Sequence, residues 1–505
     1  MATFNSAGSG NANADATWTE AGQPAAGDHV IIASGHTVTF TADEAWGSVR
    51  VNGTLAGNYT CTLNDGGQSA ILHNNGTIND TPNFTITGGT NREIKNDSSS
   101  TLGTVTINSS GQTFTLAGPN THTYEALTIT AGTLTTLDGS TSRNLTVTGN
   151  TRIGPASGGA DQATLTCNAS AVSLGSGLTT DYGLTVVKGG TFVGGTGAHT
   201  IGSIDVTNFG DAKCTLTSGV TTVDSEKTSA NRAISIEGTD ATFDDGNGTV
   251  KLTNPASTVL KTNFNDLYNL IIDHASVVGK YTDNFVIAND LTINQGTFEA
   301  DAGDETLTVN GNVIVGDGSG SANTAVLGHS GDDTAANMFG SLTIDSDGKY
   351  NATSGTTTIT NKASSNFAFK NSGTFTHNDG TMQIGDGSTS TGGAHLMNNT
   401  YYNLIINRDE NAPDGNTPFR ASTASTTTIE GDLTVTKGRF YRNSSSSTLV
   451  VNGHVDIEAN GQVGTDAASG PNTFGSLEIS TGGKYLATSG TTTITSRTGG
   501  GYSWY

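Results

Sequence analysis

The sequence predicts an all-β protein that folds as a parallel β-helix, or β-solenoid, with internal repeats of about 135 residues. Short runs such as Thr37–Phe40 and Leu307–Asn310 alternate apolar with polar residues, which is typical of half-buried strands. Gly, Asn and Asp separate these runs, and no stretch has the apolar spacing of a long amphipathic helix. Many short strands within one long repeat favour stacked coils over a propeller, whose blades repeat every 40–50 residues or so. Tandem β-sandwich modules are the alternative fold.

Internal repeats identify the second half of the chain as a duplication. The segment Phe339–Thr360 returns as Phe474–Thr495, and Tyr268–Ile272 returns as Tyr402–Ile406. In both pairs the two copies begin about 135 residues apart. A further unit that begins with Leu-Thr occurs three times, at Leu127–Gly154, Leu291–Gly316 and Leu433–Glu458. Repeats built from several small strands are expected of stacked coils.

We predict four regions from these repeats: an N-terminal arm or cap at 1–28, a first, diverged solenoid region at 29–240, repeat block A at 241–372 and repeat block B at 373–505. Block B ends in an aromatic segment with Tyr502, Trp504 and Tyr505. Such a segment closes the core as a final strand, docks a partner subunit or forms a symmetric tip. Each interpretation agrees with the need to cover exposed strand edges.

The composition restricts the partners that the protein can have. Among 505 residues, 45 Asp and Glu outnumber 22 Lys and Arg, which gives a net charge of −23 (22 − 45). We expect no nucleic acid partner, because an acidic surface repels phosphate. We also expect no membrane insertion, because no run approaches about 18 consecutive apolar residues. The segment Met1–Gly8 lacks the basic start and apolar run of a secretory signal, which favours a protein made without Sec export over one whose leader was removed.

Residue types that often bind metals are present, but not in metal-binding patterns. Cys61, Cys167 and Cys214 lie far apart without CxxC spacing, so we expect buried thiols rather than disulfides or a zinc site. The ten histidines include no HxH or HExxH pair. Asp345–Gly348 is similar to the start of a calcium loop, but no Glu closes it at position twelve and its counterpart Ser480–Gly483 has no carboxylate. We therefore predict no metal-binding residue and no cofactor, and the sequence does not support a structural Ca²⁺.

Carboxylates that could serve catalysis occur only in segments with turn composition. Parallel β-helices that cleave polysaccharides need clustered carboxylates. The candidates are Asp244–Asp245, Asp273–His274, Asp332–Asp333, and Asp301 with Asp304–Glu305. None has a neighbouring Arg or an aromatic platform, and such surroundings are typical of turns and solvated surface. We predict no catalytic residue and no enzyme activity, with a polysaccharide depolymerase as the alternative.

The opening of the chain resembles that of β-helical surface and appendage proteins. The segments that carry the resemblance are Thr17–Trp18, Pro24–Ile32, Gly35–Val38 and Gly47–Leu55, and the LTVxGN and GTTTIT repeats are similar to the same broad group. That group includes fibres, spikes and head decorations of tailed phages, and bacterial β-solenoid adhesins. The resemblance implies a scaffold for adhesion or for a particle surface, and it assigns no functional residue.

These observations favour a non-enzymatic structural protein of a virus particle, namely a phage tail fibre or surface appendage that mediates host attachment. A capsid decoration protein is one alternative, and a bacterial cell-surface adhesin or extracellular matrix filament is another. We expect a location on the virion surface, or on the cell surface under the adhesin alternative. The expected partners are other virion or surface subunits and a host glycan or protein. By analogy with appendages we expect a homo-oligomer, either a trimer or a symmetric array.

Overall fold

The structure is a computed structural model of the chain. It describes all residues except 66, 156–161, 208–210, 237–240, 254–256, 262–266, 282–283, 302–304, 320, 322–323, 329–332, 364–366, 388–394, 398, 409–418, 423–425, 443–445, 465–468 and 497–505. The aromatic end predicted for block B, Asp304 and Asp332 therefore lie outside the described residues. The chain divides into two compact units, unit 1 at Met1–Tyr268 and unit 2 at Asn269–Tyr505. This division reflects contacts and does not test the repeat boundaries predicted at 241 and 373.

Unit 1 contains one 3₁₀-helix, Asp15–Thr17, among its described residues, and its other elements are strands. The strands are β1 Thr3–Asn5, β2 Gly10–Asn11, β3 His29–Ile32, β4 Thr37–Thr39, β5 Glu44–Trp46, β6 Ser48–Val51, β7 Thr54–Ala56, β8 Thr60–Leu63, β9 Ala70–Asn74, β10 Thr77–Ile78, β11 Asn83–Ile86, β12 Arg92–Asn96, β13 Thr101–Ala117, β14 His122–Thr135, β15 Leu137–Asp138, β16 Thr141–Ser142, β17 Leu145–Val147, β18 Thr151–Ile153, β19 Ala163–Thr166, β20 Val172–Leu174, β21 Leu184–Val186, β22 Gly190–Val193, β23 His199–Ile201, β24 Ile204–Val206, β25 Lys213–Thr215, β26 Val220–Val223, β27 Ile234–Ile236, β28 Thr242–Asp244, β29 Thr249–Leu252 and β30 Ser257–Lys261.

Unit 2 consists of strands and the turns between them in its described residues. The strands are β31 Asn269–Tyr281, β32 Phe285–Ile287, β33 Leu291–Ala300, β34 Leu307–Val315, β35 Ala325–Leu327, β36 Asn337–Ile344, β37 Gly348–Asn351, β38 Thr356–Ile359, β39 Phe367–Asn371, β40 Thr374–Thr376, β41 Thr381–Ile384, β42 His395–Met397, β43 Thr400–Tyr401, β44 Asn403–Asn407, β45 Phe419–Ser422, β46 Thr426–Ile429, β47 Leu433–Arg442, β48 Thr448–Val463, β49 Asn472–Ile479, β50 Lys484–Tyr485 and β51 Thr492–Ile494.

Parallel strand pairing holds the coils together in both units. In unit 1, β17 pairs with β20, β20 with β23 and β23 with β26, so three strands complete one turn of the chain. Antiparallel pairing in the described residues is limited to the β15–β16 hairpin and two isolated bridges. The predicted β-solenoid is confirmed, with about 18 turns over the part of the chain that the structure describes. The alternative of tandem β-sandwiches is wrong for the described residues, because sandwiches are built from antiparallel strands.

The length of a coil varies while the register between its strands is kept. Leu291 lies opposite Val313, and Leu184 lies opposite Ile204, so these two coils have similar lengths. Thr151, in contrast, lies opposite Leu184, and the coil between them is about half as long again. The turns between strands absorb these differences, so insertions project outward and leave the stacked strands undisturbed.

The core of each coil is a stack of inward-pointing side chains. In unit 2, Leu291 pairs with Val313 and Val313 with Leu342, and all three are fully buried. The residues that follow two of them, Thr292 and Thr343, point outward and are half-exposed. Each inward side chain packs on the side chain one coil away, at the strand spacing of about 4.8 Å. This stacking fills a narrow core with medium-sized aliphatic residues, which explains how a low aromatic content suffices.

Residues 1–28 pack on the first coil through β1, which pairs with β3. The chain that follows covers the other edge of β1. Ser6 and Trp18 form an antiparallel bridge there, and the backbone N–H of Asn5 donates to the Glu20 carboxylate at 2.8 Å. A covered edge strand does not offer free backbone groups to another chain.

In block A, short polar side chains at one turn position form hydrogen bonds from each coil to the next. The Asn269 Oδ1 atom accepts the backbone N–H of Asp290 at 3.1 Å, and the Asp290 Oδ1 atom accepts that of Asn312 at 2.7 Å. The Asn312 Oδ1 atom then accepts the Ser341 hydroxyl at 2.8 Å. Asn269 and Asp290 thus satisfy backbone donors that the turn would otherwise leave unpaired, and Asn312 accepts from a side-chain hydroxyl of the next coil.

Block B repeats this ladder with one change of residue type. The Asn403 Oδ1 atom accepts the backbone N–H of Asp432 at 2.9 Å, and the Asp432 Oδ1 atom accepts that of His454 at 2.7 Å. The His454 Nδ1 atom is hydrogen-bonded to the Ser476 hydroxyl at 2.7 Å. His454 thus stands where block A has Asn312, and the same turn is stabilised with a side chain that can carry charge.

Removal of one side chain from the inward stack should destabilise unit 2 far more than removal of its outward neighbour. We expect Leu433→Ala to lower the free energy of unfolding by about 2–5 kcal/mol, because it leaves a cavity in a fully buried stack. The outward substitution Thr434→Ala should change it by no more than about 0.5 kcal/mol. Guanidinium denaturation followed by far-ultraviolet circular dichroism measures both. Equal losses in the two variants would contradict the assignment of inward and outward faces.

Two histidines of unit 1 lie in the core. Burial lowers the pKa of His122 to about 4, and the His122 Nε2 atom is 3.0 Å from the Ala117 carbonyl. Burial also lowers the pKa of His199 to about 4, an effect that the Gly194 backbone offsets only in part. Neither ring nitrogen of His199 makes a well-formed hydrogen bond to a described residue. Both imidazoles are therefore neutral in the folded protein at neutral pH.

Acidification should destabilise unit 1 through these histidines. In the unfolded chain each takes up a proton near pH 6.5, but in the folded protein only near pH 4. The unfolded state therefore binds more protons in this window, and stability falls as the pH falls through it, by roughly 3 kcal/mol per histidine at the lower end. We expect His199→Leu to reduce this acid-induced loss, measured as denaturation midpoints at about pH 7 and about pH 4.5. The outward substitution Thr200→Ala is the control, and an identical pH dependence in His199→Leu and the wild type would contradict the assignment.

Candidate binding surface

The acidic pair at the end of β28 builds a turn. The Asp244 Oδ1 atom accepts the backbone N–H of Gly246 at 2.8 Å, and the Asp245 Oδ1 atom accepts that of Asn247 at 3.0 Å. The Asp245 Oδ2 atom also accepts the backbone N–H of Tyr268. Burial raises the pKa of Asp245, and the bonds from Tyr268 and Asn247 oppose this effect. Both carboxylates are thus engaged in holding the backbone.

The other acidic candidates lie in unit 2, and the charges of two of them, Asp333 and Glu305, add to the effect of burial that raises the pKa of Tyr281. Asp273 and His274 are half-exposed neighbours in β31. Asp301 forms an ion pair with Lys280 at 3.2 Å. Asp333 is buried and accepts a backbone N–H at 2.9 Å. Neither this ion pair nor this hydrogen bond joins two of the candidate carboxylates directly.

In the segment Asp345–Gly348, which is similar to the start of a calcium loop, both carboxylates contact other residues. Asp345 lies 3.7 Å from the Lys370 ammonium, and the buried Asp347 accepts the backbone N–H of Gly318 at 2.8 Å. Glu305, the last of the acidic candidates, is half-exposed just before β34. Within the part of the chain that the structure describes, no three His, Cys, Asp or Glu side chains are grouped so that they could hold a metal ion.

The three cysteines are buried, and two pockets lined by described residues are small. Cys61, Cys167 and Cys214 are buried free thiols, and burial raises the pKa of each, which keeps them protonated. Two pockets lined by described residues, one beside Tyr124 and one beside Tyr402, have room for little more than a water molecule. Neither of these two pockets could admit a sugar ring.

A column of outward-pointing residues in unit 2 has an unusual concentration of charge. Strands β44, β47, β48 and β49 lie side by side and stack Ile405, Thr434, Asp456 and Glu478 in register. Glu458 lies two residues beyond Asp456 on the same face of β48. We refer to these five residues as the outer strip. Three of the five are carboxylates on two adjacent coils.

The carboxylates of the outer strip influence one another. Burial is the main cause that raises the pKa of Asp456, and the charges of Glu458 and Glu478 add to it. His454 acts in the opposite direction, and its Nε2 atom lies 3.6 Å from the Glu478 carboxylate. The outer strip is therefore an anionic surface. In these contacts its negative charge is offset only in part, by the His454 imidazole.

Tyr402, three residues before Ile405 in the chain, belongs to a cluster of aromatic and charged side chains. The half-buried Tyr402 ring stacks on the His377 ring, with centroids 5.9 Å apart and an interplanar angle of 26°. The His377 Nε2 atom is 3.4 Å from the Glu430 carboxylate, and its Nδ1 atom is 3.7 Å from that of Asp379. A tyrosine with charged neighbours presents both an apolar face and polar groups to solvent, which suits contact with a polar ligand. We refer to Tyr402, His377 and Glu430 as the Tyr402 cluster.

Blocks A and B differ in charge at these outward positions. Block A has uncharged residues at the four positions that are acidic in block B, with Ala288 for Glu430, Ile314 for Asp456, Gly316 for Glu458 and Thr343 for Glu478. The inward residues keep their apolar character, as in Leu291 and Leu433 or Val313 and Val455. The duplication has thus preserved the packed interior and changed the surface.

Sequence reasoning identified the repeats but missed the outer strip and the Tyr402 cluster. The signal that could have found the strip is the difference between the repeats at outward positions, rather than their similarity. The Tyr402 cluster needs His377 and Glu430 to meet although they are far apart in the chain, and only the length of the coils between them brings this about.

Comparison with known proteins gave no match among the family models, the curated proteins or the solved structures. None of the helical segments in the described ranges is long and apolar enough to cross a bilayer. The β-solenoid is a property of the structure, whereas the resemblance to appendage proteins rests on sequence segments such as Pro24–Ile32.

Burial of Asp456 and the like charges of the outer strip predict a stabilising substitution. Because these effects raise the pKa of Asp456 in the folded protein, folding favours its protonated form. The resulting stabilisation is present below pH 3.8 and is lost as the pH rises through the folded value. We expect Asp456→Asn to stabilise unit 2 at about pH 7 by only a few tenths of a kcal/mol, since Asp456 is half-exposed and solvent screens its charge. The gain should vanish near pH 3. Thermal denaturation at both pH values measures it, with Glu125→Gln, which alters an exposed carboxylate of unit 1, as the control. Destabilisation at neutral pH would contradict the electrostatic account.

Proposed function

We propose that the protein is a non-enzymatic structural component of a virus particle, a tail fibre or similar surface appendage that contacts the host envelope. In this proposal the stacked coils are the scaffold, and the outer strip with the Tyr402 cluster is a contact surface. The resemblance of the segments Pro24–Ile32 and Gly47–Leu55 to appendage proteins supports the location on a particle.

The observation that carries the proposal is the divergence of blocks A and B at outward positions. A repeated scaffold with an altered surface is what a display protein requires, because binding specificity then changes without loss of the fold. An enzyme would instead need one set of groups converging on a substrate. The candidate carboxylates with described contacts bond to backbone groups or single lysines instead.

The contact would gain strength from repetition rather than from a deep pocket. The partly exposed carboxylates, imidazoles and tyrosine ring of these surfaces can each form a weak contact with a host glycan or protein. Several copies of the chain, arranged as a trimer or by the symmetry of a particle, would make many such contacts at once. Multivalent attachment of this kind raises the overall affinity by about 10²–10⁴ without any new type of contact.

The location can be tested by immunogold electron microscopy with an antibody to this chain, applied to lysates and to intact source cells. Gold on the tails of free particles is the expected result. Gold on particle heads would replace the fibre with a capsid decoration protein. Gold on cell envelopes, with unlabelled particles, would contradict the virion proposal and favour the adhesin or matrix filament.

The absence of enzyme activity needs its own experiment. Spots of purified protein on a lawn of encapsulated cells should leave the capsule intact. A cleared halo would contradict the proposal, and its loss in Asp244→Asn or Asp245→Asn would place depolymerase activity at the turn after β28. A halo that survives both substitutions would locate the activity elsewhere and would equally contradict the proposal.

Neutralising the outer strip should weaken attachment. The variant Asp456→Asn/Glu458→Gln/Glu478→Gln should bind target cells about tenfold less than the wild type in a flow-cytometry assay, because the effect is multiplied over copies. The control Asp15→Asn/Asp43→Asn/Glu125→Gln removes the same charge from positions of unit 1 outside the strip. Equal binding by all three proteins would exclude the outer strip as the contact surface.

A further inference from the structure

In three consecutive coils of unit 1, the turn at the same position differs greatly in length. The turn between β20 and β21 has nine residues, 175–183, and the turn between β26 and β27 has ten, 224–233. The turn of the coil between them, from β23 to β24, consists only of Gly202 and Ser203. Two long turns therefore flank a two-residue turn. Gly202 and Ser203 are buried, although they lie at the corner of a coil, where turns are normally exposed.

The two long turns reach across the short one and bond to each other. The Asp224 carboxylate accepts the Ser176 hydroxyl, and its Oδ1 atom accepts the backbone N–H of Gly177 at 3.0 Å. The Ser225 hydroxyl donates to the Leu178 carbonyl at 2.8 Å. We refer to residues 175–183 and 224–233 together as the clasp.

A single lysine strengthens the outer part of the clasp. The Lys227 ammonium lies 3.5 Å from the Asp181 carboxylate and 4.7 Å from the centre of the Tyr182 ring. The backbone N–H of Thr228 donates to the Thr179 carbonyl at 3.1 Å. These contacts are formed by partly exposed groups, so they hold the clasp without making it rigid.

Two polar atoms are enclosed in this region without a partner in the described part of the chain. Glu226 is 7% exposed and its Oε2 atom has no hydrogen bond, and Ser203 is fully buried with an unpaired hydroxyl. The neighbouring carboxylate Asp224 is engaged by the opposite turn. A buried carboxylate without a counter-charge opposes the closed conformation when it is ionised and ceases to do so when it is protonated.

The charged groups on the clasp and on the strand next to the short turn do not balance the negative charge of Glu226. On the clasp these groups are Asp181, Asp224, Lys227 and Arg232, and on the strand next to the short turn Asp205. Burial is the single cause that raises the pKa of Glu226, and none of these charges offsets it appreciably. Lys227, the nearest cation in sequence, is directed to Asp181 and Tyr182.

We propose that the clasp is a pH-responsive latch, which closes more tightly when Glu226 takes up a proton from solvent. In the open clasp Glu226 is hydrated and titrates near its ordinary value of 4.5, whereas in the closed clasp it holds its proton to higher pH. Closure is therefore favoured at acidic pH, and this preference is lost as the pH rises through the pKa of the closed form. The buried His199 on the adjacent coil works in the opposite direction, because its protonation destabilises the fold.

Hydrogen exchange of the full-length protein tests this latch. The exchange of a peptide covering 224–233 is measured by mass spectrometry at about pH 5 and about pH 7.5, with correction for the intrinsic rates. We expect Glu226→Gln to exchange more slowly than the wild type at the higher pH, by about threefold or more. At the lower pH the difference should be smaller, since a larger fraction of Glu226 is protonated there than at the higher pH. This comparison at equal pH removes the contribution of His199, which both proteins share.

Two further variants make the outcome decisive. Glu125→Gln removes an exposed carboxylate of the same unit and should leave the exchange of 224–233 unchanged. Asp224→Asn weakens the contacts to Ser176 and Gly177 and should speed exchange at both pH values, which shows that the peptide reports the clasp. If Glu226→Gln does not fold, Glu226→Met, of similar length and without charge, replaces it. Equal exchange of the wild type and the neutral variant at about pH 7.5 overturns the proposal.

Discussion

The parallel hydrogen-bond ladder between successive coils is the interaction on which the rest of the structure depends. It places each inward residue directly against the residue one coil later, as in Leu404, Leu433 and Val455. Because the ladder satisfies the backbone, the side chains need only fill a narrow core. A chain rich in Gly, Thr, Asn and Ser can therefore fold stably with few aromatic residues. The polar ladder through Asn403, Asp432 and His454 extends the same principle to the turns.

The ladder leaves two features free to vary, namely the lengths of the turns and the outward side chains. Turn length varies in unit 1, where nine-residue and ten-residue turns enclose the two-residue turn of Gly202 and Ser203. Outward chemistry varies between blocks A and B, where Ile314 and Thr343 correspond to Asp456 and Glu478. The proposed functions of the clasp and the outer strip both lie in this variable layer. Neither requires any change in the stacked core.

The sequence was sufficient to predict the fold because the ladder repeats a simple pattern. Alternation in runs such as Leu307–Asn310, together with turn residues and a duplicated segment, indicates coils whose inward positions can be read directly. The long coil that begins at Thr151 carries no such signal, since its extra length lies in two of the turns between its strands. The enclosure of Glu226 and the contact of His377 with Glu430 follow from which turns meet across a coil. Those contacts between turns depend on the three-dimensional register of the coils, which a pattern of apolar and polar residues does not encode.

The register of the coils can be measured most directly by cysteine cross-linking within single chains. Thr434→Cys with Asp456→Cys places two outward thiols on paired positions, about 4.8 Å apart between backbones, whereas Thr434→Cys with Asn452→Cys places them out of register along the strand. The native cysteines are buried and do not compete. The account predicts efficient oxidative cross-linking of the first pair, equal cross-linking of Thr292→Cys with Ile314→Cys in block A, and none in the mismatched pair. Cross-linking of the mismatched pair, or failure of both matched pairs, would contradict the stacked-coil register from which every other conclusion follows.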